Sequence, residues 1–255
     1  MKFALSIAAS DPSGGAGIEA DLKVFAGLRV FGLTAITALT VQGPKGVEKL
    51  IPTPPKEFAR ILKILKNDLK ISAVKIGALV SAQHLNAVKF FLKEIKAHSV
   101  LDPILNSATG FPLLEEKAQS QLISLFSLVS LITPNLPEAE ALSGIKLKAS
   151  SDLIKIAERL AEKGAKAILI KGGHFKKAPE DFFWQGGNFY QFKKKRIKAR
   201  FHGTGCALSS AIAGYLALGY NLKDAVAKAE SYLEQALLNS VKIGKIRYLT
   251  HSFLK

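Results

Sequence analysis

Short apolar runs alternate with amphipathic stretches along almost the whole chain. The apolar runs predict strands over residues 3–9, 33–41, 73–76, 99–101, 128–132 and 167–170. The amphipathic stretches predict helices over residues 18–28, 54–69, 82–95, 113–126, 151–162, 204–218 and 222–238. This alternation predicts an α/β fold, in which helices cover both faces of a mainly parallel central sheet.

Two segments add detail to this pattern. One face of the 54–69 helix is predicted to be buried and carries four apolar residues, Phe58, Ile61, Leu62 and Leu65. Residues 182–199 predict two or three further strands around Gly186-Gly187, a typical hairpin signal. Because the 255 residues contain no linker and no internal repeat, we expect a single domain over residues 1–255.

Polar side chains come at or just after the ends of three predicted strands, at Asp102, Asn135 and Lys171. Ligands of parallel sheets bind at the carboxyl ends of the strands, so we expect these side chains to meet at one edge. Asn135 and Glu138 also match a helix-capping box, a structural role that is compatible with chemistry at the same residues. His174, close to Lys171, is interpreted as a loop residue that makes hydrogen bonds.

Two glycine-rich loops are expected at the same edge. The first, from Ser10 to Gly17, joins a predicted strand to a helix, an arrangement that brings backbone close to a small ligand. The second, His202-Gly203-Thr204-Gly205-Cys206, opens the 204–218 helix. Its glycines and the positive end of the helix dipole are suited to an anion such as a phosphate. The alternative is that each loop is only a tight turn.

Cys206 is the only cysteine of the chain. It stands at the predicted start of a helix, where the pKa of a thiol can be lowered, so it is a candidate base or nucleophile at neutral pH. The competing interpretation is a small buried cysteine in a glycine-rich turn. A single cysteine excludes an internal disulfide, and we expect a cytoplasmic enzyme.

The charge balance is strongly basic, with 36 Lys and Arg against 20 Asp and Glu and a net charge of +16. Nucleic-acid binders usually carry arginine forks or stacked aromatic residues, and neither pattern is present. The segment from 182 to 223 has no acidic residue and contains the densest basic cluster, Lys193, Lys194, Lys195, Arg196, Lys198 and Arg200. We interpret the individual lysines as solvated and the region as a field that attracts nucleotide phosphates. No apolar stretch is long enough to cross a bilayer.

Six segments of the chain resemble one known family. They are residues 10–21, 37–42, 75–77, 101–103, 132–140 and, together, 171–174 with 202–206. In this order they resemble the hydroxymethylpyrimidine/phosphomethylpyrimidine kinases of the ribokinase-like superfamily. The resemblance extends over nearly the whole chain, and its first and last segments are the most specific.

The resemblance implies a ribokinase-like fold and a defined activity. The chain is expected to use ATP and Mg²⁺ to phosphorylate 4-amino-5-hydroxymethyl-2-methylpyrimidine, and then its monophosphate to the pyrophosphate, in thiamine biosynthesis. The expected partners are these small molecules, without nucleic acid or membrane. A homodimer is expected.

The resemblance also assigns residues to the pyrimidine. Asp21 and Gln42 would contact it, and Gly14, Ala16 and Ala78 would lie around it. Ala78 stands where the family frequently has methionine, which enlarges the pocket. A second interpretation therefore stays open, a pyridoxine or pyridoxal kinase of the same superfamily.

The chemical step would use the second glycine loop. Cys206 would take the place of the aspartate base found in most of the superfamily, and Gly203 and Gly205 would form the anion hole. Ala9 and residues 106–110 depart from the family pattern, so phosphate contacts are not expected at 106–110. A different class, a non-catalytic ligand sensor or nucleic-acid binder on the same fold, is suggested by the charge and disfavoured by the retained Lys171, Cys206 and two acids, Asp102 and Glu138.

The remaining roles concern ATP and the metal. Lys171 would neutralise the transferred phosphate, while Thr204 and Asn135 would contribute to ATP binding. Asp102 and Glu138 would organise Mg²⁺ and its waters. Because Mg²⁺ keeps several waters in proteins, two carboxylates are enough for such a site.

Overall fold

The structure is a computed structural model that describes residues 1–172, 180–194 and 197–252. Its strands are β1 Phe3–Ser10, β2 Phe31–Gly43, β3 Gly46–Pro52, β4 Ile71–Ile76, β5 His98–Leu101, β6 Leu131–Ile132, β7 Ala167–Ile170, β8 Glu180–Gln185, β9 Asn188–Lys193, β10 Phe201–His202, β11 Val241–Ile243 and β12 Ile246–Tyr248. Its helices are α1 Gly17–Gly27, α2 Pro55–Asp68, α3 Ala82–Glu94, α4 Glu116–Leu122, α5 Leu136–Ser143, α6 Asp152–Glu162, α7 Thr204–Ala217 and α8 Leu222–Leu238. His174, Lys195 and Arg196 lie outside the described residues.

Nine strands form one sheet in the order β3-β2-β1-β4-β5-β6-β7-β8-β9. The neighbours from β2 to β7 are parallel. The outer strands β3, β8 and β9 pair antiparallel. The predicted hairpin is confirmed, because β8 and β9 join at Gly186 and Gly187, which both have positive φ angles. The parallel strands bring their carboxyl ends to one edge of the sheet.

Helices cover both faces of this sheet, as predicted. Successive strand residues point to opposite faces, so Ala4 joins one hydrophobic core and Leu5 the other. The core on the Leu5 side contains buried residues of α2 to α6, and the core on the Ala4 side contains those of α1, α7 and α8. None of the described helices is long and apolar enough to cross a membrane.

Two details of the helix predictions are wrong. The predicted 113–126 helix is shorter, since α4 ends at Leu122 and a 3₁₀ helix continues from Ile123 to Leu128. In α2, Phe58 and Leu62 are buried, whereas Ile61 is 37% exposed. Ile61 lies at the margin of the apolar stripe because a three-residue step falls short of a full helical turn.

The sequence pattern does not predict four strands, β3, β10, β11 and β12, or the extent of α5. β3 is a half-exposed edge strand, and the three residues of β11 are all exposed, so neither shows a buried apolar run. β12 pairs with both β11 and β10 in a second, three-stranded sheet. This small sheet ties the end of the chain to His202, directly before α7.

Candidate active site

A cavity of about 680 Å³ opens at the carboxyl ends of the parallel strands. It brings together most of the predicted site residues, namely Ala16, Gln42, Ala78, Asp102, Asn135, Glu138, Lys171, Gly203, Thr204, Gly205 and Cys206. Gly14 and Asp21 are not among the residues that line it. The edge predicted from the strand ends is therefore a real concave site.

The first turn of α7 forms one wall of this cavity. Gly203 precedes the helix with φ 78°, a left-handed conformation that favours glycine. A Cβ atom on Gly203 would also collide with the backbone carbonyl of Gly15, so the two glycine loops pack directly on each other. Among the described residues no side chain caps α7, and the first turn of this helix has no acidic residue. The backbone N–H groups at this helix start are therefore suited to receive an anion.

Lys171 and Asp102 form an ion pair over the start of α7. Lys171 Nζ lies 2.6 Å from Asp102 Oδ1. A Cβ atom on Gly205 would lie only 3.2 Å from Lys171 Nζ, which shows how closely the ammonium approaches the helix start. Burial disfavours the charge of Lys171, but Asp102 and Glu138 raise its pKa above the ordinary value. A fixed positive charge therefore stands beside the uncapped helix terminus.

Glu138 is both a capping residue and a buried carboxyl in the cavity wall. The predicted capping box is confirmed, because Glu138 N–H donates to Asn135 Oδ1 and Asn135 N–H donates to Glu138 Oε2. Burial raises the pKa of Glu138 to about 7, although Lys171 opposes this effect. The structural role predicted from the sequence is thus present, and the carboxyl still lines the cavity.

Asp102 and Glu138 fit a magnesium ion that keeps most of its waters. Both carboxyls are buried in the same cavity wall beside Lys171. Within the described ranges, no group of three or more His, Cys, Asp or Glu side chains is placed to hold a metal. Mg²⁺ typically binds through one or two carboxylates together with substrate phosphates and water, so this pair is a sufficient protein contribution.

Cys206 lies at the cavity floor, and the prediction that the pKa of its thiol is lowered is wrong. The side chain is buried, and burial raises the pKa of the thiol above its ordinary value. The nearby Lys75 ammonium and the backbone N–H of Gly17 act in the opposite direction. A position at a helix start does not by itself lower a thiol pKa, because desolvation of the thiolate outweighs it here.

Gln42 and Ala78 lie at the end of the cavity near the first glycine loop. Among the described residues, the side chain of Gln42 has two polar contacts, 3.2 Å from Oε1 to Thr40 Oγ1 and 3.4 Å from Nε2 to His202 Nε2. Its amide is therefore able to pair with a ligand that offers a donor and an acceptor. Asp11 closes the loop itself by accepting from the backbone N–H of Ala16.

Asp21 is fully buried and does not line the cavity, and its predicted contact with the pyrimidine stays a prediction. Its carboxylate accepts hydrogen bonds from Ser6 and Ser210 and pairs with Lys75 Nζ at 2.8 Å. Lys75, which the sequence reasoning did not include among the site residues, lines the cavity instead. A lysine inside the apolar strand β4 is the sequence signal from which its role could have been predicted.

The basic cluster also differs from its prediction. Lys194 is not simply solvated, since its ammonium lies 2.5 Å from Asp181 and 2.7 Å from Glu230. Lys194 and Arg200 line the cavity, together with apolar residues of α7 and α8. The acidic partners come from just outside the 182–223 segment, so its charge is partly neutralised by the fold.

Known proteins match this chain along nearly its full length. The family model described as phosphomethylpyrimidine kinase matches residues 11–251. A hydroxymethylpyrimidine/phosphomethylpyrimidine kinase of Aquifex aeolicus is 40% identical over 247 residues, which are 95% of this chain and 97% of that protein.

Solved structures agree with this match. The phosphomethylpyrimidine kinase of Clostridium difficile superposes with a TM-score of 0.84 at 36% identity, covering 93% of this chain and all of that one. The pyridoxal kinase of Staphylococcus aureus, bound to AMP-PCP and pyridoxal, has a TM-score of 0.90 at 30% identity, covering 99% of this chain and 94% of that one. The chain belongs to the phosphomethylpyrimidine kinase family.

Proposed function

We propose that this enzyme transfers the γ-phosphoryl group of ATP to 4-amino-5-hydroxymethyl-2-methylpyrimidine, and then to the resulting monophosphate. The observation that carries the proposal is the convergence of the uncapped start of α7, the Lys171–Asp102 pair and Cys206 in one cavity. Phosphoryl transfer needs positioning and charge neutralisation more than covalent chemistry, and this cavity offers both. The family to which the chain belongs acts on the same substrates.

The described residues divide the work as follows. The backbone N–H groups at Gly203 and Gly205 receive the phosphoryl oxygens, and Lys171 neutralises their charge. Thr204 and Asn135 line the same wall and contribute to ATP binding. Cys206 accepts the proton of the substrate hydroxyl. Asp102 and Glu138 would hold Mg²⁺, which supplies further positive charge to the phosphate oxygens when bound.

Substrate choice is assigned to the other end of the cavity. Gln42 both donates and accepts, which suits an aminopyrimidine edge. Ala16 and Ala78 leave room for the ring and its methyl group. Asp21 acts by holding Lys75.

Mass spectrometry of the products tests this function. Incubation of the pyrimidine with ATP and Mg²⁺ should give first the monophosphate and then the pyrophosphate. A monophosphate alone would restrict the activity to the first step. No phosphorylated product, from protein that binds ATP, would contradict the proposal.

A pyridoxine or pyridoxal kinase is the second candidate, because a pyridoxal kinase superposes closely and the small side chain of Ala78 lines the cavity. The two substrates should be compared in one ATP-consumption assay, separately and in competition. A higher kcat/KM for pyridoxal than for the pyrimidine would favour this second candidate.

We also propose a homodimer formed through the outer face of the β2–β3 ribbon. Leu39 and Ile51 are cross-strand neighbours there and are 52% and 47% exposed, and Val41 on the same face is 44% exposed. Contiguous exposed apolar side chains at a sheet edge are typical of an interface.

A Leu39→Glu variant should sediment as a monomer, whereas Phe90→Glu, at an exposed residue of α3, should not change the mass. A wild-type monomer would contradict the proposal.

The cytoplasmic location expected from the sequence stays a prediction.

A further inference from the structure

Lys75 is a fully buried lysine at the floor of the cavity. Its side chain is 0% exposed, yet it lines the cavity. Within the part of the chain that the structure describes, Asp21 is the one hydrogen-bond acceptor found for its ammonium. An ammonium group carries three donors, so donors remain for a group on the cavity side. A charge is costly to bury with so few partners, which points to a use in the site.

This ion pair is connected through Ser210 to α7, the helix that carries Cys206, and both Lys75 and Cys206 line the cavity. Ser210 follows Cys206 by four residues, so both lie on the same face of α7. Ser210 Oγ donates to Asp21 Oδ1 at 2.6 Å, and Lys75 Nζ lies 2.8 Å from Asp21 Oδ2. Through its hydrogen bond to Asp21, Ser210 thus connects the Lys75–Asp21 pair to α7 one helical turn after Cys206.

Four charged groups act on Cys206 from the elements packed around α7. Lys75 comes from β4, Asp21 from α1, Asp102 from the end of β5 and Lys171 from the end of β7. The two carboxylates disfavour a thiolate, as does burial. Lys75 is the largest of the charges that favour it.

We propose that Lys75 is a positioning residue whose ammonium stabilises the thiolate of Cys206 and so prepares it to accept the substrate proton. The proposal rests on the base role assigned to Cys206 above. As the substrate oxygen bonds to the γ-phosphorus of ATP and the bond to the ADP oxygen breaks, the hydroxyl proton moves to the sulfur and later leaves to water. Asp21, held by Ser6 and Ser210, keeps the Lys75 ammonium charged and in place.

The single cysteine makes the test direct. A thiolate absorbs at about 240 nm, whereas a thiol does not. Because the chain has one cysteine, the absorbance difference between the parent protein and a Cys206→Ala variant reports the pKa of Cys206 alone. Lys75→Met should raise this pKa by about one unit or more, and so lower the thiolate fraction about tenfold. The acid limb of the kcat profile should move by the same amount. Lys75→Arg, which keeps the charge, should restore most of both.

Lys194→Met is the matched control, because Lys194 is also a cavity lysine paired with buried carboxylates, and it is not among the groups that act on Cys206. It should leave the pKa of Cys206 unchanged. If Lys75→Met does not fold, Lys75→Gln removes the charge while keeping a donor for Asp21, and the same rise is expected.

An unchanged pKa of Cys206 in a folded Lys75 variant without the charge would overturn the proposal, as would an equal rise in Lys194→Met. The base role itself is tested separately, by the turnover of Cys206→Ala. Full turnover in the Cys206→Ala variant would show that Cys206 is not the base, so its coupling to Lys75 would have no effect on catalysis. The pKa of Cys206 in the Lys75 variants would still decide whether the two side chains are coupled.

Discussion

At the scale of single residues, burial governs the chemistry of this site. Cys206 and Glu138 are both buried, and burial raises the pKa of each above its ordinary value. Lys171 keeps its charge because Asp102 and Glu138 surround it. The acid–base properties of these side chains therefore follow from their neighbours rather than from their residue types.

Replacing Cys206 with alanine should lower turnover by about 10²–10⁴-fold, the usual contribution of general-base assistance. Pyrimidine affinity should change little, because the thiol is small and buried. Steady-state kinetics and direct binding of the pyrimidine provide the two measurements. Turnover within twofold of the parent enzyme would exclude the base role.

Glu138→Gln should raise the magnesium requirement about tenfold or more with little change in Tm, since glutamine still accepts the Asn135 N–H bond of the capping box. The pKa of Glu138 is raised to about 7, so its metal-binding carboxylate forms as the pH rises through that value. The parent enzyme should thus need less Mg²⁺ at pH 8 than at pH 6. This difference should be larger in the parent enzyme than in the Glu138→Gln variant. A lower Tm with unchanged magnesium dependence would indicate a purely structural role.

At the scale of elements, the start of α7 depends on the close packing of two loops. Gly203 has φ 78° and ψ 15°, and Gly144, which ends α5, has φ 80° and ψ 10°. A Cβ atom would collide with Gly15 at position 203 but would meet no atom within 4 Å at position 144. Alanine substitutions at these two glycines therefore separate the free-energy cost of the left-handed backbone conformation from the cost of disturbing the contact between the loops.

Gly144→Ala should destabilise the fold by about 1 kcal/mol, the usual cost of a left-handed alanine, without affecting ATP binding. Gly203→Ala should cost at least about 1 kcal/mol more and should weaken ATP binding, because α7 and the first glycine loop must move apart. Thermal melting and nucleotide titration measure the two effects. Equal losses in both variants would show that the contact with Gly15 is unimportant.

At the scale of the whole molecule, a buried histidine that follows β12 holds this segment against α8. His251 is 8% exposed, and its Nδ1 lies 3.0 Å from the hydroxyl of Tyr232 in α8. Burial lowers the pKa of His251 to about 4, and the charge of Lys23 acts in the same direction. The unfolded chain therefore binds a proton at this histidine more readily than the folded protein does.

The sign of the resulting pH dependence follows from this difference. His251 contributes stability above its ordinary pKa near 6.5, and that contribution is lost as the pH falls toward 4. The loss is at most about 3.5 kcal/mol, since each pKa unit corresponds to about 1.4 kcal/mol. His251→Gln should flatten the unfolding free energy between pH 6.5 and 4, as measured by denaturant titration. The same slope in both proteins would assign the acid sensitivity to other groups.

The sequence by itself determined the order of most strands and helices, the hairpin at Gly186-Gly187 and the edge at which the ligand residues meet. These features depend on patterns within a few residues, namely apolar periodicity, turn glycines and the Asn135–Glu138 cap. The family motifs also lie in short contiguous segments. Local signals of this kind survive in the folded chain because they agree with its packing.

Only the tertiary structure decided the electrostatics of the site. Lys75 meets Asp21, and Lys194 meets Glu230, across long separations in the sequence. The pKa of Cys206 rises although its local sequence suggested the opposite. Edge strand β3 carries no buried run that a pattern can detect. Desolvation and ion pairing depend on which distant segments the fold brings into contact, and no local pattern of residues specifies that.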